Sequence, residues 1–443
     1  MADIKNKIVT CFDYGNDTAL AERLAREFGT VNYFRQWKDS LPETLKLVAG
    51  DGLNGVKRIR NFFDPEIINQ TDVFVFADIY DGDLQVHLER MGKLVFGSRM
   101  AEGFEYKREL FAKTLKELQM EVSPYTVCVG VTALEKELQA HEDLWVKVNL
   151  RGDGETWHHE NYSLSRRKLE ALRYQYGAVA EMVRFTVCES IDSVIEAAYD
   201  GMMITSPSGT PQFPDIGFLG YEVKNLCHIL HAIPYSSFPK AVLEVNEKFA
   251  PKLAEHNYRG FWGTEIKITE DGKNYFLDAT CRASHPPTEI IQEMVANLGE
   301  FIYEGAQGNC IPLKIVKPFG VQVMLNSSWA KSNWQTVEVP EEIRHCVKLY
   351  NYCFADGAYQ VIPKSVSSLT ADGSDIIGSI VALGDTIEEA IDEVKEYCNQ
   401  VHGFDTENQI DALAECLRRI QEGEKEGIDF KAKIPDPATI IDS

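Results

Sequence analysis

With 443 residues, 44% of them apolar, the chain is long enough to bury substantial cores and is expected to divide into about two to four domains. Its formal charge of −23, from 68 acidic against 45 basic residues, makes a field that repels nucleic-acid polymers and anionic membrane surfaces, so neither is an expected partner. No secretory leader or bilayer-length apolar run stands out, and ten scattered cysteines with no Cys-x-x-Cys pair read as reduced thiols in a cytoplasmic protein.

The amino-terminal part alternates strand and helix. Residues 7–12 read as an apolar strand, 17–28 as an amphipathic helix, and 31–34, 72–79 and 93–96 as further strands. This alternation predicts an α/β domain with a doubly wound parallel sheet over residues 1–105. Ligands of such sheets sit beyond the carboxyl ends of the strands, which here carry Asp13-Tyr14-Gly15-Asn16 and the segment 78–83. Gly15 lacks the Gly-x-Gly-x-x-Gly spacing, which argues against a nicotinamide or flavin site. Residues 101–122 predict one long helix. The region 106–190 continues with a small strand–helix–strand unit, its strands at 125–129, 144–150 and 183–189. A third region, 191–320, holds a strand at 194–199, a loop rich in Gly, Pro and Ser at 206–220, and helices at 238–256 and 288–303. The last region, 321–443, reads as a separate small α+β unit with a long helix at 386–401, followed by a solvated acidic tail without chemistry.

Three stretches carry the chemistry. Lys147 is flanked by apolar residues in Leu144-Trp145-Val146-Lys147-Val148, which either buries its ammonium against an anion or marks an edge strand with one wet face. It runs into Gly152-Asp153-Gly154-Glu155-Thr156, where two glycines let backbone N–H groups close over a phosphate chain. Glu189 and Glu196, on either side of a short turn, either accept from the ribose hydroxyls and amino edge of one nucleotide or are two solvated acids. The third stretch, 261–289, predicts two strands joined by the turn Glu270-Asp271-Gly272-Lys273, which can bring Glu265 and Asp278 side by side. Carboxylates that close repel unless a cation lies between them; the alternative is one inward and one outward acid with no shared task. Lys224, in Tyr221-Glu222-Val223-Lys224, is a substrate or phosphate contact or a surface lysine. The His158-His159 pair has no third ligand at metal spacing and belongs to the loop. His285, followed by two prolines, bears on the substrate or is a turn histidine.

Lysine strand, glycine loop, paired glutamates and a Glu…Asp-x-Thr-x-Arg hairpin stand in an order that resembles the ATP-grasp ligases. The resemblance implies that Glu265 and Asp278 are magnesium carboxylates (manganese being the alternative ion), that Thr280 stands where the family has Asn, and that Arg282 lies by the transferring phosphate. It further implies that Lys107 and Lys147 contact the phosphates of ATP and that the loop of Gly152, Gly154, Glu155 and Thr156 closes over them. Glu189 and Glu196 would hold adenosine. Within that family, the order over residues 5–405 is similar to the phosphoribosylamine–glycine ligases, including Leu94-Val95-Phe96-Gly97-Ser98 and the stretch 377–386. Such enzymes make an amide through an acyl phosphate. The expectation is therefore an ADP-forming ligase, monomeric or homodimeric, that joins an amino acid such as glycine to the amine of a nucleotide or sugar phosphate. Segments 13–17, 214–224 and Ala283-Ser284-His285-Pro286-Pro287 depart from the family's glycine-rich patterns at substrate-facing places, so a changed acid or amine is expected. The alternatives are the authentic purine-pathway ligase and an inactive nucleotide-binding module, with Arg282 and Lys224 as the residues nearest the chemistry if the chain is active.

Overall fold

The structure is a computed structural model that describes residues 3–35, 48–149, 156–192, 195–363 and 376–437. Near the amino terminus the alternation folds as a parallel sheet of β1 (Ile8–Asp13), β2 (Thr30–Arg35), β3 (Val56–Arg58), β4 (Val73–Phe76) and β5 (Leu94–Phe96), in the order β3-β2-β1-β4-β5. β4 is buried at every position, which is why it reads Val-Phe-Val-Phe without polar alternation. The segments leaving β1 and β4 deliver Asp13, Asp17 and Asp78, all buried, to the carboxyl edge of this sheet.

The helix expected over 101–122 is broken. A 3-10 turn (Arg99–Glu102) and one helical turn (Gly103–Tyr106) end at Lys107, whose φ of −98° and ψ of 78° leave the helical region before a new helix spans Arg108–Glu117. A small lobe follows: β6 (Tyr125–Val129), β7 (Leu144–Asn149), β8 (Thr156–His159) and β9 (Arg184–Glu189) form an antiparallel sheet in the order β6-β9-β7-β8. β7 alternates buried and half-buried positions. Val146 and Val148 enter a core with Leu134, Leu138, Leu169 and Phe185, so Lys147 is left on the opposite face.

The large sheet holds β10 (Ile195–Thr205), β11 (Pro211–Gln212), β12 (Ile216–Val223), β13 (Cys227–Pro234), β14 (Arg259–Ile268), β15 (Asn274–Thr280) and β16 (Phe319–Asn326). Its path runs β15-β14-β10-β12-β13-β16 and on through the strands Ile376–Gly384 and Val347–Leu349. Three expectations are revised here. The stretch 206–220 is not loop throughout, because Ile216–Val223 and Cys227–Pro234 form a hairpin in the middle of the sheet. Its residues are buried almost without alternation, and Gly220 is required at a close approach: a Cβ there would stand 2.4 Å from the Leu230 side chain. The tail is not a layer apart either, since β16 pairs with β13 on one side and with Ile376–Gly384 on the other. Short strands at Gln335–Glu338, Tyr352–Ala355, Ala358–Val361 and His402–Gly403 form the tail's own small sheet. Finally, the carboxyl-terminal helix Leu413–Lys425 is docked rather than solvated, burying Leu413, Leu417 and Ile420 in the main core.

Aromatic packing fixes the β14–β15 hairpin. Trp262, 1% exposed, stacks on Phe249 of the helix Lys240–Ala254 with ring centroids 5.8 Å apart, and Phe276 meets Phe111 of Arg108–Glu117 at 5.0 Å. An ion cluster around the buried Glu293 side chain ties the remaining parts together. Glu293, in the helix Thr288–Met294, takes Arg26 at 2.8 Å and also Lys348 of the strand Val347–Leu349. Burial works against both charges: it pushes the Lys348 ammonium below its usual range, whereas at Glu293 the two cations outweigh it and hold the carboxyl at about 2. A folded-state value below the ordinary 4.5 means that this stabilisation is complete above 4.5 and is lost as pH falls toward 2. Urea unfolding at about pH 7 and about pH 3 should therefore show an acid-induced loss of stability that E293Q reduces by on the order of 1 to 2 kcal/mol. An unchanged acid limb would mean that the cluster carries no net stabilisation.

Candidate functional site

The register of β14 with β15 sets Glu265 opposite Asp278 and Gly263 opposite Thr280, with a bulge after Glu265 that keeps Ile266 and Phe276 in the core. Glu265, Asp278 and Thr280 all line one cleft of about 760 Å³ between the large sheet and the small lobe. From the small lobe, the Lys147 ammonium donates to both Asp278 oxygens at 2.9 and 2.8 Å, and Arg108 donates to the same carboxylate from the first turn of its helix. Burial alone would raise the Asp278 carboxyl, but Arg108 and Lys147 outweigh it and hold it at about 2. Glu265 moves the other way, pushed up by burial and then by Asp278 and Glu196. Its side chain opens on the water of the cleft, which screens part of that repulsion.

Other predicted residues join the same cleft. Glu189, at the end of β9, and Glu196, near the start of β10, line it together with Trp145 and Thr156. Glu196 is paired with Lys267 at 3.3 Å. Lys224 sits exposed just past β12, where its charge reaches Glu222 and Glu265. Gly152, Gly154 and Glu155 lie outside the described residues.

Three predicted residues sit elsewhere. Lys107 is exposed, its ammonium 5.3 Å from the centre of the Tyr106 ring, and it is the neighbouring Arg108 that reaches Asp278. Arg282 leaves the hairpin toward the parallel sheet, donating to Glu105 at 2.7 Å and lying 3.8 Å from Asp78. Those carboxylates overcome burial and raise its pKa, while burial lifts Asp78 to about 6. His285 lies between Asp17 at 3.3 Å and Glu289 at 2.7 Å, and both acids outweigh burial to hold it as an imidazolium. His158 and His159 belong to β8 rather than a loop: the first pairs with Asp143 at 2.6 Å and the second with Ser165 at 2.6 Å.

Reading the sequence missed Arg108, Asp200 and His228. Asp200 lines the cleft from β10, and burial, followed by Glu222 and Glu265, lifts its carboxyl to about 8. Its signal was present in Ala197-Ala198-Tyr199-Asp200-Gly201-Met202, a lone charge in an apolar strand of the kind that drew attention to Lys147.

Two adjacent carboxylates on a rigid hairpin suit a magnesium-type ion. Among the described residues no three His, Cys, Asp or Glu side chains converge to hold a metal. A hard cation that takes phosphate oxygens and water needs only one or two carboxylates from the protein, and the two basic groups gathered on Asp278 show how strongly this spot attracts positive charge.

No protein-family model and no curated protein matches the chain. Among solved structures it is similar to phosphoribosylamine–glycine ligase from Thermotoga maritima, with a TM-score of 0.64 at 15% identity, covering 90% of this chain and 98% of that one. It is also similar to the biotin carboxylase domain of 2-oxoglutarate carboxylase from Hydrogenobacter thermophilus, solved with MgADP and bicarbonate, with a TM-score of 0.62 at 11% identity over 95% of each chain. A third is N5-carboxyaminoimidazole ribonucleotide synthetase from Thermotoga maritima, with a TM-score of 0.57 at 14% identity over 90% of this chain and 99% of that one. All three are ATP-grasp ligases, and the chain has their fold.

The strain at the hairpin is electrostatic and can be measured without any ligand. Replacing Glu265 by Gln removes one of two facing charges, so E265Q should melt above the wild type in EDTA by on the order of 1 °C, equivalent to roughly 1 kcal/mol for a chain of this length. An equal or lower melting temperature would show that the pair does not repel.

Proposed function

We propose that the protein is an ATP- and magnesium-dependent carboxylate–amine ligase that forms an amide through an acyl phosphate and releases ADP. The observation carrying this reading is Asp278, set beside Glu265 by the hairpin register and clasped by Lys147 from the facing lobe. Glu265 and Asp278, with Thr280 alongside, would hold magnesium, which when bound offsets the charge of neighbouring phosphates and polarises the one transferred. Lys147 and Arg108 are then available to phosphate oxygens, as an ammonium and a guanidinium group gathered on one carboxylate. Glu189 and Glu196 offer acceptors to the ribose hydroxyls and the adenine amino group, and Gly152, Gly154, Glu155 and Thr156 are proposed as the phosphate-contacting segment, of which Thr156 lines the cleft.

The chemistry balances without a further reagent. A substrate carboxylate attacks the γ-phosphorus, giving an acyl phosphate and ADP. An amine then attacks the acyl carbon, so that a C–N bond forms as the C–O bond to phosphate breaks. An amino acid such as glycine and an amine borne by a nucleotide or sugar phosphate are the substrates we propose. Lys224 would serve the reacting end from the rim of the cleft, and Arg282 would act there only on leaving Glu105 and Asp78, which hold it at the junction with the parallel sheet.

ADP release from Mg-ATP should be measured with glycine and freshly generated phosphoribosylamine, leaving out each component in turn, and then with a panel of other acids and amines. Release is expected only when an acid and an amine are both present. D278N should lower its rate by about a hundredfold or more, and K147M should weaken Mg-ADP binding by about tenfold or more. Tight Mg-ADP binding with no release for any pair would identify a binding module instead.

A further inference from the structure

Past the paired carboxylates the floor of the cleft is made of small residues. Ala198 on β10 stands opposite Glu265, and Gly220 on β12 leaves room for the ring of His228, whose Nε2 lies 2.7 Å from where a Cβ of Gly220 would be. Asp200, Glu222 and His228 rise around this floor, and Ser284, Pro286 and Pro287 belong to the same lining.

Two side chains in this place lack what they need. His228 is 5% exposed and lines the cleft, yet neither ring nitrogen has a hydrogen-bond partner among the described residues. A buried imidazole with both nitrogens orphaned is destabilising unless something from the cleft answers it. Burial pushes its pKa down to about 3, so the ring is neutral and offers one donor and one acceptor. Asp200 is the second. It is 9% exposed, receives a hydrogen bond from Ser284, and is repelled by Glu222 and Glu265. Among the described residues no lysine, arginine or histidine pairs with it. Glu222 differs in this respect, because Lys224 and Arg419 both offset its charge and Arg419 donates to its backbone carbonyl at 3.1 Å.

We infer that this end of the cleft seats the acceptor substrate as a primary amine that carries a second, uncharged hydrogen-bonding group, with Asp200 taking the ammonium and His228 the hydroxyl or amide. Calling the ligand the acceptor rests on the ligase reading, whereas the seat itself does not. Because the seat adjoins Glu265, it holds the amine beside the phosphate end of the proposed nucleotide site, where an acyl phosphate would form.

The test uses the full chain and a ladder of linear probes from 2-aminoethanol to 5-aminopentan-1-ol, each compared with its diol and its alkylamine. Binding is followed by calorimetry with and without Mg-ADP. At the chain length that fits, the amino alcohol should bind about tenfold tighter than either comparator, the margin of one hydrogen bond to a charged or buried group. D200N should abolish the preference over the diol, and H228L the preference over the alkylamine, with H228Q restoring part of the latter. Each variant's ratio is internal, so a general loss of affinity does not imitate the result, and the wild-type ratios stand even if a variant fails to fold. Equal affinity for amino alcohol and diol at every length, no binding of any probe, or ratios untouched by the substitutions would overturn the seat. Failure to bind Mg-ADP would overturn the ligase reading alone, since the probe ratios are read without nucleotide as well.

Discussion

Asp278 sits where three separately formed parts meet: the hairpin that carries it, the small-lobe strand that carries Lys147, and the helix that begins at Arg108. A carboxylate in that position must be matched by positive charge from more than one direction, because burial works against it and Glu265 faces it across the ladder. Local structure follows from this demand. The break at Lys107 starts a new helix with Arg108 in its first turn, and the alternation of β7 turns Lys147 away from the small-lobe core toward the cleft. The same carboxylate therefore links the lobes and supplies half of the proposed metal site. That double use explains why the charges around it are so closely balanced.

The rest of the molecule holds this meeting point still. Aromatic stacking clamps the hairpin to two helices, and Glu293 draws together residues from the parallel sheet domain, the helix Thr288–Met294 and a strand of the tail. His285 and Arg282 extend the arrangement, each leaving the hairpin region to engage buried acids at the tips of the parallel sheet. The segments around the cleft are thereby carried on elements anchored at both ends, which is the preorganisation the proposed two-substrate reaction would call for.

Much of this was legible in the residues. The parallel sheet declared itself through the unbroken apolar run of β4, and the hairpin through its turn and alternation, which together put Glu265 beside Asp278. What escaped did so for physical reasons. β12 and β13 are buried on both faces, so they show no period of two, and their glycines and prolines imitate a loop. Arg108 was hidden behind Lys107 because the helix break between them has no proline or glycine to mark it. Asp200 and His228 acquire meaning only when strands distant in sequence lie side by side. The docking of the carboxyl-terminal helix was masked by an acidic surface whose apolar stripe turns inward.

The path of the large sheet also bears on how the chain reaches this state and what happens if it is cut short. β16 lies between β13, which precedes it by about ninety residues, and Ile376–Gly384, which follows it by about fifty. Until that last strand arrives, eight residues of Phe-Gly-Val-Gln-Val-Met-Leu-Asn present a bare edge of unpaired N–H and C=O groups, mostly apolar and without a guarding lysine or proline. Synthesis thus leaves a sticky intermediate open during the passage of the intervening segment, and a chain ending before residue 376 would keep it open permanently. The segment from Ile376 onward is in this sense a built-in chaperone for the sheet that carries the candidate site, and proteolysis or a premature stop ahead of it would leave that edge open to edge-to-edge association.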